Sequence, residues 1–240
     1  MGSDIDSLTR ANKEFLSEFE KLLNYRFTDL RLLQKALIHS SYAFEHSNSE
    51  NNNEILEFLG DAVLDLVVGH MLAESYPDLR EGDLTKLRSA LVNETHLASL
   101  ARGLELGRFL SLGKGEESSS GRNKSSILAC ALEAVCGAIF EDSGYETASM
   151  IARNLFQPSL DIKKAEMQVA DAKSRLQELL QEKYNEAPVY RLEKEEGPAH
   201  QRTFTMSVVF QDQVLGSGVA RSKKEAEQKA AAHALDSLQL

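Results

Sequence analysis

Cysteine is scarce in this chain, and its two cysteines form no recognisable metal-binding pattern. Cys130 and Cys136 lie six positions apart in one apolar stretch, an arrangement that fits a reducing compartment. The chain also lacks an apolar run long enough to span a membrane without a charge, and no secretory leader is recognisable. We therefore expect a cytoplasmic protein that has no membrane partner.

Positive charge is also in short supply. The 240 residues include 27 Lys and Arg against 37 Asp and Glu, for a formal net charge of −10. Residues 171–240 carry 10 basic against 11 acidic side chains, whereas residues 1–170 carry 17 against 26. This balance excludes a bulk positive field, so any contact with a nucleic acid must depend on local basic patches.

The first part of the chain shows helical periodicity and no convincing strand pattern. Apolar residues recur at intervals of three and four positions, which is typical of amphipathic helices. This spacing predicts helices over 13–24, 30–38, 53–75, 84–101, 126–141 and 145–156. The Gly/Ser-rich residues 113–121 predict a loop. We expect an all-α domain over residues 1–157.

The periodicity changes after residues 158–170, a stretch with Pro158 and many charged and polar residues that predicts a linker. An amphipathic helix then precedes three strand patterns, and an alanine-rich helix closes the chain. The strand patterns cover 189–195, 203–210 and 214–220. Residues 171–240 are thus expected to form a small α+β domain with the order α-β-β-β-α, an order that by itself suits a module of many purposes.

Acidic residues interrupt the strongly apolar segment from Ile55 to Leu72. At about 100° per residue, four carboxylates share one narrow face of the predicted helix, namely those of Glu54, Glu57, Asp61 and Asp65. A solvated acidic surface has the same pattern, so this helix alone does not indicate a functional site.

A second predicted helix carries a lone charge. Glu133 is the one charged residue in 127–140, and no Lys or Arg lies one turn away. Because a buried carboxylate is costly unless it is paired or metal-bound, we predict that Glu133 faces Glu57 and Asp61 with a divalent cation between them. Oxygen ligands favour Mg²⁺ or Mn²⁺, and such a cluster can activate water and hold a phosphate during in-line displacement.

Four motifs, in order along the chain, resemble those of the ribonuclease III family. The nine residues Asn53-Glu54-Ile55-Leu56-Glu57-Phe58-Leu59-Gly60-Asp61 are similar to its signature helix. Three further blocks match, namely Ala36–Tyr42, Glu81–Thr85 followed by Leu87 and Arg88, and Ser126–Ala129 followed by Leu132–Ala134. The resemblance covers nearly the whole chain. It implies a metal-dependent endonuclease domain that cuts double-stranded RNA as a homodimer and needs no organic cofactor.

The resemblance also implies roles for individual acidic residues. Glu57, Asp61 and Glu133 match metal ligands, with Mg²⁺ as the expected cofactor and Mn²⁺ as a substitute. Glu54 and Glu81 match catalytic-site acids with supporting roles in substrate handling or scission.

Two features leave alternatives open. Phe58 matches an aromatic residue that packs into the partner subunit of the dimer, and an ordinary core phenylalanine is the alternative. The loop at 113–121, followed by Arg122, Asn123 and Lys124, is either an RNA contact or an ordinary mobile loop.

Cys130 departs from the family pattern, which carries an aspartate three residues before Glu133. A thiol is a poor Mg²⁺ ligand, so one negative charge is missing from the expected cluster. Three interpretations follow: activity with the three remaining carboxylates, weak or absent cleavage with RNA binding retained, or a substitution particular to this chain.

The closing helix is predicted to begin at Ser222-Lys223-Lys224-Glu225, where Ser222 and Glu225 form a capping box. The helix dipole disfavours two lysines in the first turn unless a phosphate binds there. Lysines that only face solvent are the alternative.

Residues 171–240, including this helix start, resemble a double-stranded RNA-binding domain. In that family the first helix and the loop after the first strand contact minor grooves, and the start of the last helix meets phosphates. Gln177 and His200 match the groove-contacting positions, and Ser222, Lys223 and Lys224 match the phosphate contact. Glu227 stands where many members carry a third basic residue, which weakens the basic patch.

Taken together, the resemblances imply an endoribonuclease that hydrolyses double-stranded RNA, leaves 5′-phosphate and 3′-hydroxyl ends, and acts in rRNA and mRNA processing. The alternative is a protein that binds double-stranded RNA and cuts it weakly or not at all, because Cys130 replaces the aspartate.

Overall fold

The computed structural model describes residues 3–46 and 51–238. Two compact units are present, Met1–Leu160 and Asp161–Leu240. The boundary between them lies inside residues 158–170, the stretch predicted to be a linker. Those residues are helical, so the linker itself stays a prediction.

The first unit is helical, as its periodicity predicts. Its elements are α1 (Ser3–Ala11), α2 (Lys13–Leu23), α3 (Leu30–Ala36), α4 (Ser40–Glu45), α5 (Glu54–Ser75), α6 (Glu81–Leu91), α7 (Glu94–Gly103), α8 (Leu106–Phe109), α9 (Lys114–Ser118), a 3₁₀ turn (Gly121–Asn123) and the start of α10 (Ser125–Tyr184). Gly144 interrupts α10 with a φ of 78°, a conformation that glycine adopts at little cost. The core of the first unit includes the fully buried Phe19, Leu33, Leu64 and Leu132. Among the described residues, no helix is both long enough and apolar enough to cross a membrane.

Two sequence predictions are wrong within this unit. The single helix expected at 84–101 is two helices, α6 and α7, because the Asn93 side chain accepts a hydrogen bond from the backbone N–H of His96 and starts a new helix. The loop expected at 113–121 contains α9. Arg122 joins this helix to the preceding residues, since its Nε donates to Glu117 Oε1 at 2.8 Å and its guanidinium donates to the carbonyl oxygens of Gly107 and Leu110 at 3.0 and 2.7 Å.

The second unit contains the predicted α+β elements. The end of α10 precedes β1 (Val189–Glu196), β2 (Thr203–Phe210), β3 (Gln213–Ala220) and α11 (Lys223–Ser237). The strands form an antiparallel sheet in the order β1-β2-β3. α11 lies close against β3: a Cβ on Gly216 would come within 2.4 Å of the Ala230 carbonyl oxygen. The small residues on both elements therefore permit this packing.

Candidate active site

The site begins where α5 and α10 touch through glycine. A Cβ on Gly60 would lie 1.8 Å from the carbonyl oxygen of Glu133, and one on Gly137 would lie 2.1 Å from that of Leu56. The two backbones are therefore in direct contact, with no room for a side chain at either glycine. This contact places Glu133 beside the acidic face of α5. Gly137 is not among the residues predicted from the sequence, although the spacing of four from Glu133 to Gly137 repeats that from Leu56 to Gly60.

Three side chains from the two helices converge at this contact. Glu57 on α5 and Cys130 and Glu133 on α10 each offer a ligand atom, and these atoms lie within 4.8 Å of one another. All three side chains are partly buried. Asp61, one turn after Glu57, is exposed and is not part of this group of ligand atoms. The structure thus joins two of the three predicted ligands and places the third beside them.

The pKa of Glu133 is shifted because this carboxyl group is partly buried and lies near other carboxylates. Burial, together with the negative charges of Asp61, Glu57 and Asp65, raises the pKa of Glu133 to about 7. Asp65 has a cation nearby, since Arg88 Nε lies 3.9 Å from its Oδ1. Without a bound cation, Glu133 therefore holds a proton over much of the acidic pH range.

Cys130 is held as a neutral thiol. Burial raises the pKa of Cys130 to about 12, and a hydrogen bond to Glu57 adds to the shift. The thiol therefore contributes no negative charge to the cluster at neutral pH.

Glu54 and Glu81 lie outside the cluster. Both side chains are exposed. Glu54 accepts a hydrogen bond from Asn52 Nδ2 at 3.1 Å, and Glu81, the first residue of α6, accepts one from Thr85 Oγ1 at 2.9 Å. Their supporting roles stay predictions.

Phe58 lies on the surface of the described chain, with 77% of the residue exposed. It is therefore not a core residue of this chain. Ile55 and Leu66, at 70% and 58% exposure, share its face of α5. These three side chains, which we call the apolar stripe, run beside the acidic face of the same helix.

The predicted RNA-contacting residues all lie in the second unit. Gln177 and His200 are exposed, as are Lys223 and Lys224 at the start of α11. Ser222 caps this helix, since its Oγ accepts the Glu225 backbone N–H at 3.2 Å. A further basic side chain, Lys173, is paired with an acid, since its Nζ lies 2.6 Å from Oε2 of Glu227. Glu227 stands at the position where many members of the family carry a basic residue.

Comparison with known proteins decides the family. A family model described as Ribonuclease-III-like matches residues 29–160, and one described as Double-stranded RNA binding motif matches residues 172–238. A protein of Desulfotalea psychrophila named Ribonuclease 3 is 60% identical over 239 residues, which cover 100% of this chain and 99% of that protein. The chain belongs to the ribonuclease III family.

Two further ribonuclease III proteins support the assignment. Ribonuclease 3 of Syntrophobacter fumaroxidans is 48% identical over 92% of this chain and 93% of its own length. The solved nuclease domain of ribonuclease III from Campylobacter jejuni, described as flexible in a region involved in dimer formation, is 47% identical with a TM-score of 0.56 and covers 60% of this chain and 96% of that one. The predicted family, fold and endoribonuclease activity on double-stranded RNA are confirmed, and the non-cleaving alternative is not favoured.

Ribonuclease III enzymes generally use a divalent metal, and the donor set tests that expectation. The carboxylates of Glu57 and Glu133 are hard oxygen donors whose ligand atoms lie within 4.8 Å of each other, and the carboxylate of Asp61 lies one turn from Glu57 on the same helix. Burial and the negative charges of Asp61, Glu57 and Asp65 raise the pKa of Glu133, and a shared cation would neutralise those charges. These three residues fit a hard divalent cation. The sulfur of Cys130 does not, since soft thiolate ligands suit other metals.

Proposed function

We propose that this ribonuclease III acts as a homodimer and cuts RNA duplexes with Mg²⁺, for which Mn²⁺ substitutes, leaving 5′-phosphate and 3′-hydroxyl ends. The observation that carries the proposal is the meeting of Glu133 with Glu57 at the glycine contact between α5 and α10. A protein that only binds RNA gains nothing from partly buried carboxylates close to a phosphate, because the like charges repel.

Within the proposed site, Glu57, Asp61 and Glu133 would hold the cation. When bound, the cation supplies positive charge that stabilises the phosphate in the transition state and favours ionisation of a water nucleophile. Glu54, exposed on the acidic face of α5, and Glu81, exposed at the start of α6, are proposed to orient the substrate or support scission. Asp61 is the most exposed of the three proposed ligands.

The second domain is proposed to hold the duplex. Gln177 and His200 would contact the minor grooves, while the capped start of α11 at Ser222 presents backbone N–H groups, Lys223 and Lys224 to phosphates. Because Lys173 is paired with Glu227, the phosphate contact depends mainly on the two lysines. Reading of duplex shape predicts little sequence preference.

Precursors of ribosomal RNA and messenger RNA are the substrates that we propose from membership of the ribonuclease III family. The cytoplasm is the location that these substrates imply. Residues 158–170 are proposed as the linker between the nuclease domain (1–157) and the RNA-binding domain (171–240).

Cleavage of an end-labelled perfect RNA duplex tests the proposed activity. We expect short products with Mg²⁺ and with Mn²⁺, and none in the presence of a chelator, because the carboxylates need a cation for catalysis. The products should accept a 5′-phosphate label only after phosphatase treatment. A duplex that is bound but stays intact with both metals would contradict the proposal.

The apolar stripe supports the proposed dimer. Isolated exposed apolar residues are common, but a row of large ones on one helix is typical of an interaction surface. In the related C. jejuni nuclease domain, a region is described as involved in dimer formation.

Phe58→Glu is expected to convert the dimer to a monomer and to lower cleavage, because a charge would be buried in the interface. The monomer should stay folded, since Phe58 is 77% exposed in the single chain. Analytical ultracentrifugation measures the mass of the variant, and circular dichroism measures whether it is folded. Val214→Glu, at a residue of β3 that is 64% exposed, is the control and should leave the mass unchanged. A Phe58→Glu protein that stays dimeric would exclude the apolar stripe as the interface.

A further inference from the structure

Cys130 places a sulfur atom in the proposed cation site. Its Sγ and the carboxylate oxygens of Glu57 and Glu133 lie within 4.8 Å of one another, on two helices locked together at Gly60 and Gly137. The other cysteine, Cys136, is buried with 4% exposure and is not in this group. The sulfur is therefore a feature of the site and not of the surrounding core.

The three ligand atoms are close enough to share one ion. Zinc binds sulfur at about 2.3 Å and carboxylate oxygen at about 2.0–2.2 Å, so two ligands of one tetrahedral ion lie roughly 3.5 Å apart. An adjustment of about 1 Å, within the reach of side-chain rotation, brings the three atoms to that spacing. The helices themselves need not move.

The donor chemistry separates two classes of cation. Mg²⁺ takes oxygen ligands and gains little from sulfur, whereas Zn²⁺ and Cd²⁺ bind thiolate and carboxylate together. We propose that Cys130 is a ligand for thiophilic divalent cations, so that Zn²⁺ and its class compete with Mg²⁺ for the catalytic site and inhibit cleavage. The thiol proton passes to the buffer when the ion binds, because the thiolate is the ligand. This inference rests on the proposed function, since it takes the cluster to be the site of the catalytic cation.

Cadmium titration of the metal-free full chain tests ligation directly. A cadmium–thiolate bond absorbs in the ultraviolet, and this signal requires no enzymatic activity. We expect the band in the wild-type protein and in Cys136→Ala, and its loss in Cys130→Ser, which removes the sulfur with little change in size. Circular dichroism establishes that each variant is folded, and Cys130→Asp serves as a second sulfur-free protein. A band that persists in both Cys130 variants, or no band in the wild type, would overturn the inference.

Competition with magnesium tests the consequence for the enzyme. At fixed Mg²⁺, the Zn²⁺ concentration that halves duplex cleavage should be at least about tenfold higher for Cys130→Ser than for the wild type, and unchanged for Cys136→Ala. Equal sensitivity of Cys130→Ser and the wild type would overturn the inference. Failure of the proposed function gives a different result: no cleavage with any cation, while the cadmium band is still present.

Discussion

Glu133→Gln is expected to lower the rate of duplex cleavage roughly 100-fold or more. The substitution keeps the shape of the side chain and removes a charged ligand from the proposed cation site. Loss of several kcal/mol of metal-derived stabilisation of the transition state corresponds to this range, since each 1.4 kcal/mol or so is tenfold. Single-turnover cleavage of a labelled duplex at saturating enzyme measures the effect separately from RNA binding.

The same substitution is expected to stabilise the metal-free protein at pH 8. Burial and the charges of Asp61, Glu57 and Asp65 raise the pKa of Glu133 from its ordinary 4.5 to about 7 in the folded protein. Between these two values the folded protein binds more protons than the unfolded chain, so the free energy of unfolding falls as the pH rises from about 4.5 to 7. Glutamine does not ionise and avoids this loss.

Thermal melts with a chelator measure this second effect. The wild-type melting temperature should fall between pH 5 and pH 8 by more than that of Glu133→Gln, and the variant should melt higher at pH 8. Added Mg²⁺ should raise the melting temperature of the wild type more than that of the variant. Glu141→Gln, at an exposed residue of the same helix, is the control and should match the wild type in cleavage and stability. Normal cleavage by Glu133→Gln would remove Glu133 from the metal site.

Gly60→Ala is expected to lower the free energy of unfolding by about 3 kcal/mol or more. The new Cβ would lie 1.8 Å from the carbonyl oxygen of Glu133, and a backbone atom cannot rotate away as a flexible side chain can. The helices must separate, which also moves Glu133 away from Glu57. The free energy of unfolding, measured by urea denaturation, and the rate of duplex cleavage should therefore both decrease.

Gly69→Ala provides a matched control on the same helix. Its Cβ would meet only the Arg88 side chain, at 3.9 Å, which is an ordinary contact. Because alanine has a higher helix propensity than glycine, this variant should be as stable as the wild type or more stable by up to about 1 kcal/mol. If Gly60→Ala is as stable as Gly69→Ala, the close contact between α5 and α10 does not exist in solution.

Local periodicity accounts for the structural features that could be predicted from the sequence. The interval of 3.6 residues per turn places Glu57 and Asp61 on one face of α5, and the alternation in residues 203–210 predicts β2. The capping box predicted at Ser222 is present at the start of α11. These features depend on neighbours within a few positions, so the order of residues contains the information needed.

Other features depend on which segments pack together. The pairing of Glu133 with Glu57 requires two glycines that lie far apart in the chain, and the raised pKa of Glu133 depends on burial that they create. The sequence left open whether Phe58 is an interface residue or a core residue, and the fold leaves it exposed because other side chains of α5 face the core.

The sequence therefore determined the family, the α-β-β-β-α order of the second domain and the acidic face of α5. Tertiary structure decided that the Cys130 sulfur lies within 4.8 Å of the Glu57 and Glu133 carboxylates while Asp61 lies outside this group, and that Lys173 is paired with Glu227. The physical reason is that charge and metal affinity depend on distances between side chains on different elements, which local sequence patterns do not specify.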